Sequence, residues 1–133
     1  MPDFKIFDIA GSAMAAQSAR LNTVASNLAN SDSISGDADS VYKPRMPVFQ
    51  AVDLGAGNSG VQVLGVVESQ TPPEKRYEPG NPLANSDGYV FAPSVNPVEE
   101  MVNMISAARS YQSNVEVLNT SKDLMLRTLE LGK

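Results

Sequence analysis

The chain is 133 residues long, carries a formal charge of −5 (10 Lys and Arg against 15 Asp and Glu), and has no His, Cys or Trp. That balance argues against a phosphate-neutralising nucleic-acid face and against a polybasic membrane anchor. Disulfide scaffolds and Cys nucleophiles are excluded, and the commonest metal ligand and general base are missing.

One domain, or one domain with extended arms, suits this length. With aromatic residues at 6%, a core has to be built from Val, Leu, Ile, Met and Ala. No stretch approaches the roughly 18 apolar residues of a membrane span, so no direct membrane insertion is expected. The N-terminus lacks the apolar h-region of a secretory leader, because Asp3 and Asp8 interrupt it, so no cleaved signal peptide is expected.

Proline placement divides the chain. None of the nine prolines falls between Asp3 and Lys43 or after Pro97, and six of nine glycines lie between positions 55 and 88. Two Pro-free ends therefore flank a middle that cannot hold a long helix. At the first end, Phe7, Met14, Leu21 and Leu28 recur every seven residues, and Ala10, Gln17 and Val24 sit three further on. This a/d register, with Gln17 its one polar break, predicts a helix over about 4–29, roughly 39 Å long. Its apolar stripe is narrow, and a lone helix of that kind needs a partner.

Ser31 to Ser40 reads as an exposed, Ser/Asp-rich loop. Asp32, Asp37 and Asp39 lack the spacing of a helix-bounded calcium loop. Val41 to Val52 reads as mixed extended structure broken by Pro44 and Pro47. Gly55, Gly57 and Gly60 form a flexible turn before Val61–Val67, in which Val61, Val63 and Val67 share one face under period 2. Thr71 to Asp87 reads as a polar, Pro-rich loop, and Tyr89-Val90-Phe91 as a short second strand of a small antiparallel element.

Asn96-Pro97-Val98-Glu99 is a helix start: Asn96 caps, Pro97 has its φ preset, and Glu99 can reach back. Apolar positions then follow at Met101, Val102, Met104, Ile105, Ala108, Tyr111, Val115, Leu118, Met125, Leu126 and Leu129, helical spacing over about 34 residues. Gly132 is a plausible stop. Ser121-Lys122 is formally a nucleophile and base, but nothing places it in a strained turn. No phosphate-binding loop occurs.

The expected architecture is mainly α with a small β element. Long N- and C-terminal helices pack as a coiled coil, and an extended antiparallel β-hairpin and loop form the middle. The helical core takes residues 1–30 and 97–133, and 31–96 is the insertion. The excess apolar surface points to assembly through Phe7, Met14, Leu21, Val24, Leu28, Met101, Ile105, Ala108, Tyr111, Val115, Leu118 and Leu129.

Two segments carry a resemblance. Phe7 to Met14, leading into Ala25-Ser26-Asn27-Leu28-Ala29-Asn30, resembles the N-terminal signature of the flagellar axial proteins, the rod and hook family. Glu100 to Ile105, continuing through Ala108-Arg109-Ser110-Tyr111-Gln112-Ser113-Asn114, is similar to that family's C-terminal signature. The block Gly88 to Asn96 and the short middle narrow the match to the proximal-rod members. Ser33 stands where the family often has Thr.

The resemblance implies a non-enzymatic structural subunit with no cofactor. It implies export by the flagellar type III apparatus and assembly in the periplasmic basal body as a tube around the export channel. Its partners would be copies of itself, other proximal-rod and distal-rod subunits, and the rod-base adapter. Its signature residues here are Asn27, Leu28, Ala29, Asn30, Arg109, Ser110, Tyr111 and Asn114. The alternative reading is a stand-alone secreted coiled-coil binding protein or export adaptor.

Overall fold

The computed structural model describes residues 2–133. Helix α1 spans Pro2–Ala29 and helix α2 spans Pro97–Leu131. Between them lie strands β1 (Arg45–Gly55), β2 (Asn58–Glu68), β3 (Glu74–Tyr77) and β4 (Tyr89–Ala92). They form two separate two-stranded antiparallel sheets, β1–β2 and β3–β4.

The start of α2 and the ends of both helices follow local chemistry. The Asn96 side chain accepts from the backbone N–H groups of Val98 (3.1 Å) and Glu99 (3.4 Å), and Pro97 follows it in the first turn. Glu99 and Glu100 lie in that turn, where the helix dipole favours negative charge. At the far end the Gly132 N–H closes on Thr128 O, 3.2 Å away. The α1 C-terminus is closed by Asn30, whose Nδ2 donates to Ser26 O at 2.8 Å.

The β pairing differs from the expectation in three respects. The Val61–Val67 strand pairs with Arg45–Gly55, not with Tyr89-Val90-Phe91. Pro44 and Pro47 do not break that partner, because both strands of a two-stranded sheet are edges, where a missing N–H is tolerated. Second, Thr71 to Asp87 is not all loop: Glu74–Tyr77 pairs with β4. It shows no apolar alternation, since all four residues are exposed. What supports it is cross-strand contact. The Tyr77 and Tyr89 rings lie 5.1 Å apart, and Lys75 Nζ sits 4.0 Å from the Tyr89 ring centre. Third, a register shift leaves Leu64 unpaired between Val63 and Gly65. The extra residue reverses the alternation, so Val67 falls out of phase with Val61 and Val63.

The Ser31–Ser40 loop also carries one sheet contact. Ser35 N donates to Phe91 O (3.0 Å) and Phe91 N to Ser35 O (2.7 Å), so β4 is flanked on both sides. Gly36 lies against the turn that follows β3: a Cβ there would be 2.5 Å from Leu83 O. Within this loop Asp37 Oδ1 accepts from Asp39 N at 3.1 Å, a local turn. Among the described residues no cluster of three Asp or Glu is placed to hold a metal, and no helix is long and apolar enough to cross a membrane.

The buried apolar residues are small: Ala10, Ala16, Val24 and Ala107 at the helices, Val41 in the segment before β1, and Val90 and Ala92 on β4. Gly60 belongs to the first group by location. It presses on α1, where a Cβ would meet Ser12 Oγ at 2.9 Å.

Candidate assembly surfaces

The buried face of α1 is made of small and polar residues. Ala10, Ala16, Thr23, Val24 and Asn27 are buried, whereas Phe7, Met14, Leu21 and Leu28 are half-buried. At 100° per residue, the buried arc is centred roughly a third of a turn from the line of Phe7, Met14, Leu21 and Leu28. Small side chains let other backbones come close, and three segments do.

The first is the β1–β2 hairpin, which runs the length of α1. Near its tip, Lys5 Nζ donates to Gly55 O at 2.9 Å. Midway, Ser12 Oγ accepts from Val61 N at 3.1 Å while donating to Ile9 O at 2.8 Å. At its root, Arg45 meets Asn27. An 11-residue strand is about 36 Å long, and the 22 residues from Lys5 to Asn27 rise about 33 Å along the helix, so the two match.

Asn27 is the junction. It is 2% exposed. Its Oδ1 accepts from Arg45 N (2.8 Å) and from Tyr42 Oη (2.8 Å). Its Nδ2 donates to Arg45 O (2.9 Å) and to Glu100 Oε2 (3.3 Å). Both lone pairs and both N–H groups are thus used. The amide ties α1 to the Tyr42 segment, the root of β1 and the first turn of α2.

The second segment is α2, which runs antiparallel to α1. Glu100 faces Asn27, and Arg20 Nη2 donates to Asn103 Oδ1 at 3.3 Å. Its inward positions are Glu100, Asn103, Met104, Ala107, Ser110, Asn114, Val115 and Leu118, of which only Ala107 is fully buried. The third segment is Tyr42, whose hydroxyl also meets Ser26 Oγ at 2.9 Å.

The expected assembly residues separate on this geometry. Val24 is buried, and Phe7, Met14, Leu21, Leu28, Val115 and Leu118 are half-buried. Met101, Ile105, Ala108, Tyr111 and Leu129 are exposed on α2, Ile105 at 55% and Leu129 at 67%. The signature residues divide likewise. Asn27 and Asn30 act within the chain, Ala29 is exposed, and Leu28 is half-buried. Asn114 Nδ2 donates to Ser110 O at 2.8 Å inside α2. Arg109 is exposed beside Val102 and Ile105 in a shallow outer groove of α2. Ser121 and Lys122 are neighbours on a continuous helix, about 100° apart, with no strained turn.

Arg20, Tyr42, Arg45, Glu100, Asn103 and Ala107 were not foreseen as contact residues. For Glu100, Asn103 and Ala107 the signal was the spacing of small and polar residues along α2, which an apolar template overlooks.

Comparison with known proteins agrees with the signatures. Residues 7–33 match a family described as flagella basal body rod protein. Residues 86–131 match one described as flagellar basal body rod FlgEFG protein C-terminal. The chain is 58% identical over 130 residues to the flagellar basal-body rod protein FlgC of Salmonella typhimurium, covering 96% of each chain. It is 58% identical over 129 residues to that of Escherichia coli O157:H7, again 96% of each. To that of Aquifex aeolicus it is 42% identical over 134 residues, covering 100% of this chain and 99% of the relative. The role is structural rather than enzymatic. A small-residue helix pair braced by a hairpin and pinned at Asn27, with both terminal signatures in place, belongs to the FlgC family of flagellar basal-body rod proteins.

Proposed function

We propose that the chain is a subunit of the proximal rod and self-assembles through its terminal helices into the tube around the export channel. The observation that carries this reading is the outer face of α2. Val98, Met101, Val102 and Ile105 stand exposed in one run, and Leu124, Leu126 and Leu129 are exposed further along the same helix. So much apolar surface on one helix is the mark of a face that another protein covers. In the assembled state the helices of residues 1–30 and 97–133 form a coiled-coil layer with their neighbours, and 31–96 contacts subunits outside it. Phe7, Met14, Leu21, Leu28, Met101, Ile105, Ala108, Tyr111 and Leu129 supply the packing surface.

The partners are copies of itself, the other proximal-rod and distal-rod subunits and the rod-base adapter. Delivery is through the flagellar type III export apparatus to the periplasmic part of the basal body. A core of Ala and Val is weakly held in isolation, which suits passage as an unfolded chain; neighbours that bind only the folded form then stabilise it by mass action.

The test is electron microscopy of basal bodies from a deletion strain complemented with Ile105→Asp. The wild-type copy restores rods, hooks and filaments, and the variant does not, because it buries an unpaired charge in the contact. Normal motility with Ile105→Asp would overturn the interface. Intact rods in the deletion strain would favour the stand-alone coiled-coil adaptor.

A further inference from the structure

We infer that the free edge of β1 takes up an extended strand from a different protein, which lies in the gap between β1 and the first turns of α2. This edge is separate from the exposed face of α2 on which the proposed assembly rests. Two sets of hydrogen bonds fix which backbone groups are free. Arg45 gives both its N–H and its C=O to the Asn27 side chain, so these groups turn away from β2. Val61 donates to Ser12 Oγ, so it and its partner Ala51 also turn their backbone groups outward. Bonded and non-bonded pairs alternate along an antiparallel ladder. Counted from either end, Pro47, Phe49, Ala51 and Asp53 turn the same way. Among the described residues no partner takes the backbone groups of Phe49, Ala51 or Asp53 on that side.

The path of α1 leaves this edge open. Helix α1 meets β1 at Arg45 but meets β2 at Val61, so beyond the root it lies on the far side of the hairpin. Among the described elements only β2 and α1 neighbour β1. Long sheet edges are normally blunted by charge, proline or a bulge. The β2 edge has Ser12 against it and the irregularity at Leu64. On β1 the one proline is Pro47, and no charge falls between Val48 and Val52. A two-stranded hairpin is marginal in water, and a third strand is what this one lacks.

The gap beside the edge has the shape and chemistry for that strand. A cleft of about 260 Å³ opens at the root, walled by Glu99 and Asn103 of α2, with Val24, Met46, Pro47 and Phe49 as its apolar lining. Met46 and Phe49 are exposed there. A strand bonded to β1 lies about 4.8 Å from it and sets alternate side chains into the cleft. The rim charges cancel, Arg20 and Arg45 against Glu99 and Glu100. The segment that fits is therefore uncharged and Pro-free, with apolar residues alternating with hydroxyl or amide ones. A second copy fits poorly. Its β2 edge is engaged by Ser12, and its β3 is only four residues long. Antiparallel pairing of two β1 strands about Ala51 would set the Gly55–Gly57 tip of one copy against the root of the other, where α2 already walls the cleft.

The probe is a capped peptide, acetyl-Thr-Val-Thr-Val-Thr-Val-Thr-amide, N-methylated on its valines so that one edge alone can pair and the peptide cannot stack on itself. It is titrated into the isotope-labelled full chain, and amide exchange is read residue by residue by NMR. The expected result is several-fold slower exchange at Phe49, Ala51 and Asp53, with no change at the inward Gln50 and Val52 or at Lys75 and Tyr77 on β3. Ala51→Pro removes one outward N–H and no bond to β2, as Pro47 already does. It should abolish the protection while exchange at Gln50 and Val52 shows the hairpin intact. Phe49→Thr keeps a strand-forming residue without the ring and should weaken the protection several-fold; it decides the matter if Ala51→Pro loses the hairpin.

No protection in the parent chain overturns the proposal, as does equal protection in Ala51→Pro with its hairpin intact or in Phe49→Thr. Equal slowing at Lys75 and Tyr77 would show mere stickiness of any open edge and overturns it too. If unlabelled chain slows the same amides as well as the peptide does, the occupant is a second copy and the assignment to a different protein falls.

Discussion

The Asn27 side chain pairs with the backbone of Arg45 as a neighbouring strand would: Oδ1 accepts from its N–H at 2.8 Å and Nδ2 donates to its C=O at 2.9 Å. A helix residue thereby closes the edge of β1 at the root of the hairpin. The same two atoms hold Tyr42 and Glu100. Asn27→Ala should cost about 2 kcal/mol or more, since it strands several polar groups at once. Asn27→Asp should also destabilise, because it loses both donors and sets a carboxylate beside Glu100. Urea unfolding followed by circular dichroism measures both; a loss under about 0.5 kcal/mol for either, the range of an ordinary surface change, would remove Asn27 as the junction.

Gly60 and Ser12 form the closest approach of hairpin and helix. Gly60→Ala places a methyl group 2.9 Å from Ser12 Oγ and 3.0 Å from Leu54 Cδ1. The expected cost is about 1–3 kcal/mol, the usual range for overpacking. Hydrogen exchange at the Val61 amide, which Ser12 Oγ accepts at 3.1 Å, should speed up in the variant. Unchanged exchange would show that the hairpin does not bear on α1 at this point.

The tip of that hairpin contains a correctable defect. Gly55, Ala56 and Gly57 have φ of 82°, 53° and 77°, so a residue with a Cβ sits in the left-handed region. That costs about 1 kcal/mol. The two-residue Ala56-Gly57 loop has the signs of a type I′ turn, in which Asn is preferred at the first position. Ala56→Asn and Ala56→Gly should each raise the melting temperature by a few degrees, read by a thermal scan.

Gln17 is the polar break in the first heptad stripe, and its Oε1 is buried with no hydrogen-bond partner among the described residues. An unmet buried oxygen costs about 1–3 kcal/mol. Gln17→Leu should therefore stabilise the isolated chain, measured as a rise in urea midpoint. A fall would mean that the amide has a partner in solution.

Glu74 and Arg76 pair at 3.1 Å within β3. The Arg76 hydrogen bond first, and its charge second, hold the Glu74 carboxyl below its ordinary 4.5. A lowered folded value means that the pair's contribution is present above 4.5 and is lost as pH falls through the lower folded value. Both groups are solvent-exposed, so salt should screen the effect. Arg76→Gln should return the Glu74 titration, followed by NMR of its carboxyl carbon, to the ordinary range with no measurable change in unfolding.

Legibility followed the range of the interaction. Helix α2 begins at Pro97 under an Asn96 cap, as read, because capping needs only four consecutive residues. The hairpin turn at Gly55–Gly57 was visible for the same reason. Strand β3 was not, since Glu74-Lys75-Arg76-Tyr77 is polar and exposed and is ordered by residues 12 or more positions away. Leu64's bulge was invisible too, because register depends on two strands at once.

By itself, then, the sequence determined two long terminal helices, a Pro/Gly-rich middle without catalytic or metal-binding chemistry, and the signatures of a rod protein. Those depend on composition, local turn chemistry and short periodic patterns. Only the tertiary structure decided which side of each helix is buried. Heptad spacing says where apolar residues recur, but close approach of a hairpin and a second helix rewards small residues and satisfied amides. So Ala16, Thr23 and Asn27 face inward on α1, and Met101 and Ile105 on α2 are left in solvent.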